Sequence, residues 1–414
     1  MPFERGCWVS NSREAGGSTR ARRRSPQGLR VPWWLAVILI FVGGRIASTI
    51  MLAILANNQA ENAWTGARPS LLDFSSLWDG RWYNIIAVSG YPSELPITDA
   101  GQVGESAWAF LPAYPAIVRA VMTIGSLPWN VAAVGVSLFF ALAATLVFYK
   151  LLIRVVPVQQ ALFAVVLFSI APVSPLLQLA YAESMQLFLI ALALYLLVRR
   201  KYGWMIPVIL VLSFTRPAAL ALALVLGLHW IYRFAKRSRG RFPMRERFLV
   251  AAVAGIAGIG GLLWVVIAGV VTGVPDAYLS TELAWRSAYI GYQDLMPFMP
   301  WVLSSQWWIP GMWGYVALVG IVVTFVAFML TPAVKKLGVD IRFWLASYGL
   351  YLVAVFFPQS STFRLLAPLF PALGALAAPR SRIYRIVLVI LSLALQWGWL
   401  LICWRVDGYD WTPP

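Results

Sequence analysis

Asp79 lies in the run Ser75-Ser-Leu-Trp-Asp-Gly-Arg-Trp-Tyr83, in the first long polar stretch of a strongly apolar chain. A carboxylate framed by Trp78, Trp82 and Tyr83 at a bilayer edge is placed to act on a substrate carried by lipid. The chemistry would be general base catalysis: the carboxylate takes a proton from a sugar hydroxyl as that oxygen attacks an activated carbon. The same residues carry a structural reading. Ser76-Leu-Trp-Asp79 fits a capping box, with Asp79 the third residue of an amphipathic helix whose apolar face holds Trp78, Trp82, Ile85 and Ile86. The two readings are compatible, because a cap fixes a base in place. Asp73, six residues earlier, is the alternative base.

Arg216, Arg364 and Arg45 are the candidate contacts to a donor phosphate. A guanidinium can grip a phosphodiester through two parallel hydrogen bonds and stabilise the charge that grows on a leaving phosphate. Arg364 ends Pro358-Gln-Ser-Ser-Thr-Phe-Arg364, a turn between two short apolar runs, where interfacial snorkelling is the structural alternative. Arg45 sits near the middle of the first apolar run, where an arginine is costly unless paired or facing water. An ion pair with Glu183 is its structural alternative. Glu183, in Ala180-Tyr-Ala-Glu-Ser184, is expected to face the bundle and bond a neighbour, or to orient Asp79, an arginine or substrate. Trp285 and Arg286 lie in a second polar stretch crowded with Tyr289, Tyr292, Trp301, Trp307 and Trp308. Most of these aromatics fit an interfacial belt, and a minority could stack on sugar rings. His229 is expected to be structural.

These residues need a frame. The chain has 414 residues, 60% hydrophobic and 12% charged, against about 25% charged in soluble domains. Several apolar runs exceed the ~18 residues that span lipid. The expected fold class is an all-α polytopic membrane protein, without the alternating short strands of a barrel. The net charge is +17. The basic residues fall in short segments between apolar runs, which reports membrane orientation and not a nucleic-acid partner. One histidine excludes a His-rich metal site. A Walker lysine loop, G-x-S-x-G and HExxH are all missing, so neither nucleotide-driven nor zinc chemistry finds support. No cofactor or metal is expected, since arginines can do the charge work.

The candidate spans are 33–56, 129–150, 158–175, 179–198, 203–215, 217–235, 248–272, 312–332, 343–357, 364–378 and 384–404. With the N-terminus inside, every basic cluster between them falls inside, as do the flanks Lys150/Arg154 and Arg199-Arg200-Lys201. These about eleven spans leave the C-terminus outside and put Cys7 and Cys403 on opposite sides, unable to pair. Eleven of the sixteen acidic residues then fall outside, a crowding that ligand-binding loops would explain. Residues 1–30 read as a disordered basic cytoplasmic tail, 31–404 as the transmembrane domain and 405–414 as an outer tail. Within the domain, 57–128 is a catalytic outer loop with interfacial helices, and 273–310 a second outer loop. Ala107–Ile124, broken by Pro112 and Pro115, reads as interfacial or re-entrant. Residues 203–235 must enter and leave on one side, with Arg216 at the tip of a hairpin turned by Pro217.

Trp78-Asp-Gly-Arg-Trp-Tyr83 followed by Ala107-Trp-Ala-Phe-Leu-Pro-Ala-Tyr-Pro115 resembles the first luminal loop of the PIG-V family. That family holds the second mannosyltransferase of GPI-anchor synthesis and actinobacterial relatives, within the GT-C glycosyltransferase superfamily. Tyr181-Ala-Glu-Ser184 resembles the family's Tyr-(Ser/Thr)-Glu-Ser element, Thr215-Arg216 its Thr-Arg-Ser-Asn-Gly element, and Arg45 the arginine of its first span. The resemblance implies a GT-C-like fold and transfer of mannose from a polyprenyl-phosphate donor, with inversion, at the outer face. The family's base, an acid of the first loop, falls on Asp79. Pro217 and Ala218 replace the Ser-Asn of the family element, so acceptor contacts differ there. The basic tail and composition point to a high-GC bacterium, which makes no GPI anchors. The expectation is therefore a plasma-membrane hexosyltransferase whose partners are a polyprenyl-phosphate sugar, a glycolipid, lipoglycan or protein acceptor, and membrane lipids. A lipid or lipid-linked-sugar transporter is the alternative; it would want the same arginines but not an interfacial acid, and usually shows an internal repeat, which is not visible here.

Overall fold

The computed structural model describes residues 31–238, 240–293 and 296–406. The expected basic tail, Cys7, Asp294 and the outer tail from 407 onward lie outside the described residues. The described chain is helical, and its nearest approach to a strand is one isolated bridge between Ile97 and Val103.

Helix α1 (Trp33–Asn57) leads into a loop region with the short α2 (Leu71–Phe74), α3 (Asp79–Ser89), a 3-10 turn at Ala107–Ala109 and α4 (Ala113–Gly125). Then come α5 (Trp129–Leu152), α6 (Val158–Ile170), α7 (Glu183–Val198), α8 (Tyr202–Ser213), α9 (Ala219–Ala235) and α10 (Met244–Thr272). A second loop region holds α11 (Ala277–Ala284), α12 (Ser287–Ile290) and α13 (Met299–Trp308). The chain closes with α14 (Met312–Leu330), α15 (Pro332–Lys335), α16 (Val339–Val355), α17 (Thr362–Leu365), α18 (Leu373–Leu376) and α19 (Arg382–Cys403). Five of these, α1, α5, α10, α14 and α19, are long and apolar enough to cross a membrane.

Proline sets where several helices start. Pro32, Pro128, Pro157 and Pro243 each stand just before one, with φ between −54° and −67° and an extended ψ. Their missing N–H costs nothing there, since the first turn has no partner for it. Inside the bundle α5 lies along α7, α10 packs on both α8 and α9, and α16 packs on α9. Helices α1 and α6 meet at Gly44, where an added Cβ would come within 2.8 Å of Ser169 Cβ. Helix α14 is apolar throughout, yet buries only Gly314.

Two expected spans are broken. The run 158–175 is helical only to Ile170, because Pro172 and Pro175 force the chain out of the helical region. At 13 residues α6 is about 20 Å long, short of a bilayer core. The chain then makes a 3-10 turn at Ser174–Gln178, and α7 begins only at Glu183. Residues 364–378 likewise form no continuous helix: α17, a 3-10 stretch over Ala367–Ala372 and α18 follow one another around Pro368 and Pro371. The hairpin expected over 203–235 is present as α8 and α9, with Arg216 in the turn between them.

Arg45 explains how the first break is tolerated. Its Nη2 donates to the Ser169 carbonyl at 2.8 Å, and its Nη1 to the Ser174 carbonyl at 2.6 Å and Gln178 Oε1 at 3.3 Å. The Ser169 carbonyl is one that α6, ending inside the bundle, leaves without a partner, at the end of the helix dipole that attracts cations. The ion pair expected between Arg45 and Glu183 is not formed. His229 is buried and paired at both ring nitrogens: Nδ1 lies 2.7 Å from Asp340 Oδ1 and Nε2 lies 3.0 Å from the Tyr202 hydroxyl, tying α9 to α16 and α8.

Candidate functional site

Four charged side chains, far apart in sequence, meet at one end of the bundle. Asp79 is the first residue of α3 and Glu183 the first of α7. Arg216 comes from the α8–α9 turn and Arg364 from α17. Arg364 Nη1 donates to Asp79 Oδ2. Arg216 Nη1 stands 3.0 Å from Glu183 Oε1 and 3.6 Å from Asp79 Oδ2. Arg364 Nε stands 3.4 Å from the same Glu183 oxygen, without hydrogen-bond alignment. Glu183 is nearly sealed, with 2% of its side chain exposed, whereas Asp79 and Arg216 each keep 13%. A lone buried charge would be prohibitive, and two of each sign cancel. Both carboxylates also sit at helix N-termini, where the helix dipole favours negative charge.

Local folding fixes this geometry. Residues 75–80 lie against 180–181: the Ala180 N–H donates to the Ser75 carbonyl at 3.0 Å, and a Cβ on Gly80 would touch Ala180 Cβ at 3.4 Å. The Asp79 N–H donates to the Tyr181 hydroxyl at 3.3 Å. The Tyr181 ring lies 5.4 Å from the Arg364 guanidinium carbon, a cation–π distance. Trp78, which precedes α3, adopts φ 56°, ψ −117°, a backbone state that a large side chain occupies only when its surroundings impose it. Trp78 is buried against Trp64, Leu176 and Leu179 belong to the same cluster, and Tyr181 completes it.

The capping box expected at Ser76–Asp79 is not there. Ser76 Oγ donates back to the Leu72 carbonyl at 2.9 Å, Trp78 before α3 makes no side-chain cap, and Asp79 is its first residue, not its third. The box lies six residues earlier. Ser70 Oγ accepts from the Asp73 N–H at 3.2 Å and donates to Asp73 Oδ2 at 2.6 Å, while Asn130 Nδ2 donates to Asp73 Oδ1 at 2.6 Å. Both oxygens of the alternative base are therefore engaged, one by Ser70 at the start of α2 and the other by Asn130 of α5.

The expected apolar face of α3 is also redistributed. Trp78, Tyr83 and Ile86 are buried, and Ile85 is the one that faces out. Trp82 stacks on Phe110 at 5.7 Å and meets the edge of Trp285 at 5.5 Å. Tyr83 packs edge-on against Phe110 and Tyr114. Trp285 thus brings the second loop region onto α3, one helical turn from Asp79. Arg286, between α11 and α12, instead pairs with Glu282 of α11 at 3.2 Å and does not reach the cluster. Trp301 and Tyr289 pack on the end of α16 and on Phe357, while Trp307 and Trp308 remain exposed as belt residues would.

Asp79, Glu183, Arg216 and Arg364 come together; Arg45, Asp73 and Arg286 do not join them. Tyr181 is the residue to which sequence reasoning gave no role, although it stands two positions before Glu183. Two cavities lie elsewhere. One of about 500 Å³ runs between α1 and α5, past Arg45, Thr49 and Phe139. One of about 140 Å³ lies near Gln160, Arg380 and Arg385. The described residues hold no group of three or more acidic, histidine or cysteine side chains able to grip a metal. No family model matches this chain, and neither does any characterised protein sequence.

Proposed function

We propose that this chain is a GT-C-type inverting glycosyltransferase of the plasma membrane, resembling the PIG-V mannosyltransferases. Under this reading it crosses the bilayer about eleven times, starting inside, with its site at the outer face. It moves a hexose, mannose in the first instance, from a polyprenyl-phosphate donor to a glycolipid, lipoglycan or protein. The observation that carries the reading is the meeting of an interfacial carboxylate with two guanidiniums drawn from otherwise unrelated turns.

In the reaction, an acceptor hydroxyl oxygen attacks the anomeric carbon. The bond from that carbon to the phosphate oxygen breaks, and its electron pair leaves with the phosphate. Asp79 receives the hydroxyl proton. Arg216 and Arg364 stabilise the charge growing on the leaving phosphate, the interaction that lowers the barrier because it strengthens along the reaction path. Trp82 and Trp285 supply flat apolar faces beside the base for a sugar ring.

The test is sugar transfer by the purified protein from a short-chain polyprenyl-phosphate mannose to bacterial membrane lipids. Asp79→Asn is expected to lower the rate about a hundred- to ten-thousandfold while the protein stays folded. An Asp79→Asn protein that transfers sugar at a rate near wild type would overturn the assignment.

A further inference from the structure

As it stands, the cluster is electrically complete: two carboxylates face two guanidiniums. A phosphodiester entering it brings a third negative charge, and among the described residues the cluster holds only the two cations. One internal pair must therefore yield. Glu183 is the poorer candidate, being sealed at the start of α7 and approached by both arginines. Asp79 is the better one. Its close tie is to Arg364 alone, Arg216 stands off at 3.6 Å, and its side chain already reaches solvent. Arg364 also has donor capacity to spare: its Nε is buried without a hydrogen-bond partner.

We propose that the Asp79–Arg364 pair is a latch that a phosphodiester headgroup opens. This rests on the glycosyl-transfer reading above. The incoming phosphate takes Arg364, Arg216 stays with Glu183, and the Asp79 carboxylate is released toward the acceptor. Freed of Arg364, the carboxylate can receive the acceptor's proton, so the base is available only when donor is in place. After transfer the acceptor's proton resides on Asp79, and the phosphate, having kept the electron pair of the broken bond, carries one more negative charge. Neutral Asp79 no longer competes for Arg364. When it gives its proton to water, the pair re-forms and displaces the spent carrier. The latch thus couples arming to donor entry and re-closure to carrier exit.

The probe is farnesyl methyl phosphate, a phosphodiester with no sugar to transfer, titrated onto the full-length protein in lipid nanodiscs. Asp79→Asn cannot form the ion pair and is expected to bind the probe at least about tenfold more tightly than wild type. A structure of the wild type with the probe bound is expected to show Arg364 on the phosphate and beyond ion-pair distance from Asp79. Binding that is unchanged or weaker in Asp79→Asn, or a bound probe with the Asp79–Arg364 pair intact, overturns the latch while sugar transfer by the wild type would still support the transferase. The opposite combination, a latch that opens in a wild type unable to transfer sugar from any polyprenyl-phosphate donor, removes the transferase reading and leaves a phosphodiester site. A wild type that does not bind the probe overturns the latch outright.

Discussion

The interaction with the sharpest energetic consequence is Glu183 with Arg216. At 3.0 Å, a unit pair gains roughly 5–6 kcal/mol at an effective dielectric of about 20. Desolvating a carboxylate with 2% exposure offsets several kcal/mol of that gain. The pair is therefore worth little in itself, and the cost lies in breaking it on one side. Glu183→Gln leaves Arg216 and Arg364 facing Asp79 alone, with an excess buried positive charge. One-sided removal of a buried partner costs about 3–5 kcal/mol. Arg216 keeps some exposure and can turn toward Asp79, so about 2–3 kcal/mol is the expected loss here. Arg216→Gln should cost a similar amount, since Glu183 then keeps only the misaligned Arg364 Nε. The double variant removes both charges and restores neutrality. Its destabilisation should fall short of the sum by about 2 kcal/mol. Reversible unfolding of the four proteins in dodecyl maltoside titrated with SDS measures this cycle. Additive losses, within about 0.5 kcal/mol, would refute the view that the cluster is held by mutual neutralisation.

Other substitutions separate structure from chemistry. Arg45→Leu strips the donors from the Ser169 and Ser174 carbonyls, so it should cost about 2–4 kcal/mol of stability and leave phosphodiester affinity within about twofold, as isothermal titration would show; a large loss of affinity at preserved stability would return Arg45 to the phosphate site. Asp73→Ala removes a capping box, which is expected to cost about 1 kcal/mol while sugar transfer persists, and abolition of transfer would move the base from Asp79 to Asp73. Trp82→Ala takes away the ring stacked on Phe110 and should raise the KM for acceptor more than it lowers kcat; an unchanged KM would exclude Trp82 from the acceptor's path.

The long helices were legible because an apolar run exceeding a bilayer's thickness has few alternatives. The prolines at 32, 128, 157 and 243 also marked their starts. The breaks were harder to read. Pro172 and Pro175 stand inside an apolar run that composition alone extends to residue 175, and tertiary donors, Arg45 and Gln396, take the carbonyls that the early stop frees. The residues of the charge cluster were each recognisable as expensive in lipid. Their pairing was not, because sequence supplies no distance between Glu183, Arg216 and Arg364. Arg45 was therefore assigned the wrong partner. The capping box was read at the second of two similar signals, Ser70-Leu-Leu-Asp73 and Ser76-Leu-Trp-Asp79. Trp78 with its positive φ diverts the second, and nothing in local propensity announces a tryptophan there.

Helix α14 lies almost outside the protein's own grip. It approaches α16 at Gly349, where an added Cβ would come within 2.9 Å of the Phe325 ring. A helix so lightly held can adjust its tilt to the thickness of a bilayer around it. Its N-terminal neighbour α13 rests on α16 through Trp301. Most of α14 thus faces outward, while the chain just before it, through Trp285, reaches Trp82 on α3.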